Sequence, residues 1–118
     1  MGLNEKLLKI QERGVKVEKT GINPHFKSTY VTLDALLEVV MPLATENGLV
    51  ITNVVDEQCR LVTTVTDSES GEAISSFFPI YTQEPQKIGA TISYAKRYSI
   101  GSIFNMTTEA DDDGNTAS

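Results

Sequence analysis

Two changes of period along the chain predict an α+β fold, a three-stranded antiparallel β-meander packed against helices. Apolar residues recur at three- and four-residue intervals near both ends, and between them, from Leu49 to Ile80, the period drops to two. Turn-rich breaks at Asp56 to Gln58 and Asp67 to Gly71 divide this middle region into three runs, LVITNVV, CRLVTTVT and EAISSFFPI, rich in β-branched and aromatic residues. Such a meander leaves an apolar face uncovered, so the flanking helices are expected to lie together on one side of it.

The elements follow in order. Leu3, Leu7 and Ile10, with Leu8 widening the stripe, predict a helix over Leu3 to Arg13, with Lys6, Lys9 and Arg13 on its polar side and Gly14 as its stop. Val15 and Val17 alternate with Lys16 and Glu18, as in a brief strand. Gly21, Asn23 and Pro24 mark a loop holding His25, Phe26, Lys27, Ser28 and Tyr30. Thr32 suits an N-cap and Asp34 the positive end of a helix dipole. Leu33, Leu36, Leu37, Val40 and Ala44 then form one helical side, with a kink expected at Pro42 and an end at Asn47 and Gly48. After the strands, Glu84 and Pro85 open a last helix on which Ile88, Ile92, Ala95, Ser99 and Ile103 share a side. Gly89 and Gly101 in this helix imply close packing or the approach of another backbone. Residues 1–106 make one domain, and 107–118 read as an acidic flexible tail.

Composition excludes several classes. The longest apolar runs are too short to span a bilayer and the first ten residues lack a signal-peptide core, so a cytoplasmic protein is expected. Cys59 is the single cysteine, which excludes an internal disulfide and a thiolate zinc site and suggests a buried strand residue. His25, the only histidine, has no nucleophile beside it, and no phosphate-binding P-loop pattern occurs. No cofactor, metal or catalytic residue is therefore predicted.

The net charge of -6 argues against nucleic acid until its distribution is considered. Residues 1–30 carry six bases and three acids, 31–86 one base and nine acids, 87–104 three bases and no acid, and 105–118 four acids. A basic last helix in an acidic chain permits a local electropositive groove. On it, Lys96 and Arg97 stand between Tyr94 and Tyr98, with Lys87 earlier in the same helix. Cations for phosphates interleaved with aromatics for bases form the recurrent design for single strands. The plainer reading is a solvated helix with tyrosines half buried in the core, and for Phe26, Lys27 and Tyr30 a hydrophobic anchor of their loop. Asp111, Asp112 and Asp113 lack the alternate spacing of a calcium loop and read as a solvated tail.

The stretch GATISYAKRYSIGSIFNMTTEADDDGN resembles the C-terminal signature of the ERF family, the phage essential recombination function proteins. A glycine-led helix with an aromatic-small-basic-basic-aromatic core precedes an acidic D-D-D-G-N segment in that family. The matching residues here are Gly89, Tyr94, Ala95, Lys96, Arg97, Tyr98, Asp111, Asp112, Asp113, Gly114 and Asn115. Upstream, Asn23, Pro24, Phe26, Lys27, Tyr30, Leu33, Asp34, Pro42 and Gly48 are similar to the family's loop-and-helix opening. The chain departs from the pattern at Ser93, where threonine is common, and in stopping at Ser118, so recruitment of partners by a longer C-terminal region is not implied.

What the resemblance implies is an ATP-independent, non-enzymatic protein that binds single-stranded DNA and anneals complementary strands. It would assemble as a homo-oligomeric ring or filament, with a single-stranded DNA-binding protein as a further partner. Lys96 and Arg97 would contact phosphates, supported by Lys27 and Lys87, with Tyr94 and Tyr98 beside them. Two other classes stay open on the residues alone: a protein-interaction module using the acidic segments, and a metal-dependent nuclease using Asp111 to Asp113.

Overall fold

In a computed structural model, which describes residues 1–22, 24 and 28–109, the chain folds as α1 (Leu3–Glu12), β1 (Gly21–Ile22), β2 (Thr29–Tyr30), α2 (Leu33–Glu46), β3 (Leu49–Val55), β4 (Arg60–Asp67), β5 (Ala73–Pro79) and α3 (Pro85–Ile103). His25, Phe26, Lys27 and the aspartates Asp111 to Asp113 lie outside the described residues. No described helix is long and apolar enough to cross a membrane.

The meander forms as expected, in the order β3-β4-β5 with both pairs antiparallel. The register sets Leu49, Ile51, Asn53 and Val55 opposite Asp67, Val65, Thr63 and Leu61, so these residues share one side. On β4 that side is wholly buried at Leu61, Thr63, Val65 and Asp67. The buried Thr63 hydroxyl donates to Asn53 Oδ1 at 2.7 Å, so it keeps a partner inside the sheet. Helices α2 and α3 cover this side. The core joins Leu36, Val40, Leu43 and Ala44 of α2 to Leu49, Val65, Ile100 and Phe104, with Leu3 and Ile10 of α1 at its margin. The other side of the sheet carries Val50, Val54 and Phe77 exposed, with the Arg60 guanidinium 4.6 Å from the Phe77 centroid.

Local chemistry explains the boundaries. Thr32 Oγ1 accepts the Ala35 amide at 3.2 Å, capping α2, which runs through Pro42 to Glu46. Glu5 Oε1 accepts the Gly2 amide at 3.2 Å and Glu72 Oε1 the Leu3 amide at 3.1 Å, so two carboxylates sit at the positive end of α1.

Four features depart from the expected pattern. Val15 and Val17 form no strand, since alternation over three residues with no neighbouring strand has nothing to pair with. The loop after them contains a minimal hairpin, Gly21 opposite Tyr30 and Ile22 opposite Thr29. Cys59, expected to be buried in a strand, is exposed in the β3–β4 turn at φ 56°. There Asp56 Oδ1 accepts the amides of Gln58 and Arg60 at 3.0 and 2.9 Å, closing a three-residue loop whose last residue must be left-handed. On α1, Leu8 is exposed, and Lys6 is not on the polar side.

Lys6 is instead only 3% exposed and reaches the wholly buried Asp67 at 2.6 Å and Glu69 at 2.8 Å. Asp67 also accepts from the Ser70 hydroxyl at 2.7 Å and the Glu69 amide at 3.1 Å. A buried charge is tolerable only when paired and hydrogen-bonded in this way. The pair fastens α1 to the β4–β5 turn. The Lys6 hydrogen bond, with help from Ser70 and the Glu69 amide, holds the Asp67 carboxyl at about 2 against burial, which pushes it up from its ordinary 3.8.

Because the Asp67 pKa is depressed on folding, its contribution to stability is complete above about pH 4 and is lost as pH falls through about 2. Unfolding midpoints measured from pH 7 to pH 2 should therefore drop over that window, and Asp67→Asn should flatten the drop while lowering the midpoint at neutral pH. Cys59→Gly should raise stability by about 1 kcal/mol, measured by urea denaturation, because glycine adopts the left-handed conformation without a Cβ clash.

Candidate nucleic-acid interface

α3 packs against both α2 and the sheet, with Ala95 and Ser99 buried. Among the described residues, the Ser99 hydroxyl has no hydrogen-bond partner. Turning away from this contact, Tyr94 and Tyr98 stand one helical turn apart with stacked rings, centroids 5.9 Å apart and planes 23° apart. Phe78 of β5 meets both edge-on at 6.0 Å. This packing fixes the tyrosines in orientation while leaving them 45% and 49% exposed. They are neither core residues nor free surface side chains.

Arg97 is drawn into the molecule. Its guanidinium lies 4.6 Å from the Tyr30 centroid and 5.1 Å from that of Tyr94, and Nη1 donates to the Val31 carbonyl at 3.4 Å and to the Glu109 carboxylate. Its side chain is 12% exposed, against 46% for Glu109. Tyr30 is seated by Gly21, where a Cβ would come within 2.4 Å of its ring, so only glycine lets the ring lie across the β1 backbone. β1 thus supports Tyr30, and Tyr30 supports Arg97 through a cation–π contact.

Glu109 arrives by a return of the chain. After Asn105, at φ 57°, the Met106 amide donates to Gly101 O at 2.8 Å and the Val31 amide to Thr108 O at 2.7 Å, and Glu109 bridges to Tyr30. A Cβ on Gly101 would meet Thr108 Cγ2 at 2.6 Å, so this glycine admits the returning segment. Residues 107–109, the first three of the stretch read as a tail, are packed here, with Thr108 buried. Gly89, by contrast, has nothing near it. The roles of Gly21, Tyr30 and Glu109 at the site are not legible in the sequence pattern, and Gly101 is its one signal of the returning segment.

The predicted DNA-binding residues divide. Lys87 precedes Tyr94 and Tyr98 by seven and eleven residues, placing it within about 20° of both around the helix. It is exposed and 3.3 Å from Glu84. Lys96 lies two residues from each tyrosine, about 160° around from them. Arg97 is therefore brought to Tyr94, Lys87 shares the tyrosines' side of α3 but lies about 10 and 16 Å along the axis from them, Lys96 is on another side, and Lys27 lies outside the described residues. Between Tyr30 and Thr32 on one wall and Ser93, Tyr94 and Arg97 on the other opens a cleft of about 360 Å³. Among the described residues, no group of three His, Cys, Asp or Glu side chains is placed to hold a metal ion.

No curated protein and no solved structure matches the chain. A sequence model of the ERF superfamily matches residues 3–118, from the start of α1 through the interface and beyond it. By a match over nearly its whole length, the chain belongs to the ERF superfamily.

Proposed function

We propose that the protein binds single-stranded DNA and anneals complementary strands in phage recombination, without ATP and without making or breaking a covalent bond. Membership of the ERF superfamily supports the reaction class. The observation that carries the reading at residue level is the half-exposed Tyr94–Tyr98 pair, braced by Phe78, with Arg97 against Tyr94 and Lys87 further along the same side of α3. Rings held in this way offer π-surface to successive bases of any sequence, and the cations neutralise the adjoining phosphates. Stacking leaves the pairing edges of a base available, which is what a second strand needs. Lys96, on another side of α3, serves phosphates further along the path, with Lys27 in support.

One protomer presents few cations, so a homo-oligomer, ring or filament, supplies the affinity by aligning many copies along one strand. The setting is the cytoplasm of an infected bacterium, where a single-stranded DNA-binding protein would meet the same strand.

Two complementary oligonucleotides, one labelled, should anneal faster with the protein than without it, and light scattering on the same sample should report a particle larger than one chain. Tyr98→Leu should cost about 1–3 kcal/mol of single-strand affinity for each base that stacks there. Replacing Lys96 and Arg97 together by Ala should weaken binding and lower the salt slope by about 0.7 for each phosphate no longer neutralised. Unchanged binding in both variants, with the fold intact by circular dichroism, would remove the assignment.

A further inference from the structure

Arg97 is the cation nearest the tyrosines, yet its charge is already answered. Its partner is the carboxylate of Glu109, delivered to it by a three-residue return that ends at β2. The two groups are unequal: the guanidinium is fixed by the Val31 carbonyl and two rings, whereas nearly half of Glu109 faces solvent. A guanidinium fork receives a carboxylate and a phosphodiester through the same two-oxygen geometry. Beside this pair lies the cleft of about 360 Å³, at the small end of the ~300–1,000 Å³ of ligand pockets and walled by Tyr30 and Tyr94.

We propose that this cleft is a one-nucleotide subsite for the bound strand, and that Glu109 occupies in the free protein the position a phosphodiester takes on Arg97. The subsite rests on the single-strand-binding reading above and adds to it a built-in competitor. Binding exchanges one anion for another on a fixed guanidinium. Glu109 moves outward into solvent, where it is already half-exposed, and a sugar and base enter the cleft beside Tyr30 and Tyr94, whose ring faces go on holding Arg97. The Arg97 cradle does not need to be rebuilt, because Val31 and the rings hold it in both states. The same exchange disfavours weak polyanions, since an incoming phosphate must displace a carboxylate and bring a stacking base with it.

The test is fluorescence anisotropy of a labelled oligothymidylate with wild-type protein, Glu109→Gln and Glu57→Gln, the last an exposed turn carboxylate that controls for net charge. Glu109→Gln should bind about two- to fivefold tighter than wild type, the range expected on removing an ion pair of this exposure. Glu57→Gln should match wild type, and the gain should vanish when Glu109→Gln is made in an Arg97→Gln background. Equal gains from both carboxylate variants, or none from Glu109→Gln, would overturn the subsite while a wild type that binds and anneals leaves the annealing reading standing. A protein that binds no oligonucleotide in any form would remove both.

Two measurements need no variant. The Arg97 Nε–H resonance of the wild-type protein should shift on saturation with oligonucleotide, and a resonance that stays in place counts against the exchange. Thymidine monophosphate should bind far more weakly than the oligonucleotide, and saturation by both at equal concentration would make the cleft a free-nucleotide site instead.

Discussion

Arg97 holds its position only because three separate parts of the chain converge on it. β2 and the residue after it contribute the Tyr30 ring and the Val31 carbonyl, α3 itself contributes Tyr94, and the segment after α3 contributes Glu109. Two of these depend on a glycine elsewhere: Gly21 admits the Tyr30 ring, and Gly101 admits Thr108, one residue before Glu109. Segments far apart in the sequence are therefore tied to the longest helix through one side chain. The side of α3 that carries Arg97, Tyr94 and Tyr98 is turned toward β2 and β5 and braced by both.

The other ion pair of consequence, Lys6 with Asp67, has a different character. Lys6 is closed in by two carboxylates, and Asp67 is wholly buried with a hydroxyl and an amide also donating to it. No solute reaches that pair without unfolding the α1 contact, so its effect is on stability and on the choice of where α1 docks. Among the described residues, Arg97 has a single carboxylate partner, and that carboxylate is half in water. Exposure of the acceptor, more than the strength of the pair, separates a fastening from an exchangeable contact.

The strands are legible in the sequence because seven-residue alternation is a strong signal: β3 falls on Leu49–Val55 as predicted, and β4 and β5 within one residue of their expected ends. The helices are legible for the same reason, and so is the tyrosine pair on α3. What escapes depends on partners distant in sequence. Nothing around Lys6 points to Asp67, 61 residues away, nor around Arg97 to the Val31 carbonyl, 66 residues away. Cys59 falls outside its expected strand because the side chain of Asp56 moves the start of β4 to Arg60. Adjacency in the sequence also groups Lys96 with Tyr94 and Tyr98, whereas helical geometry separates them.

For an acidic chain to hold a polyanion, as proposed here, it must do so by position. Of its ten lysines and arginines, Lys6 is enclosed, and Arg13 and Arg60 are paired with Glu46 and Asp56. Lys87 and Arg97 face Glu84 and Glu109, so five of the ten already have a carboxylate partner, and the others act against a net charge of -6. Charge carries over ~10 Å at 0.1 M salt, so the acidic body opposes the attraction of the basic helix for DNA. Selectivity then falls to contacts within van der Waals range, which here means rings. Stacking works only on bases that are unpaired, so on the proposed reading an unfavourable field combined with favourable rings would select a single strand over a duplex. Under the annealing proposal the same balance would let go of a duplex once formed, because pairing would take the bases off the tyrosines and leave two charged strands facing an acidic surface.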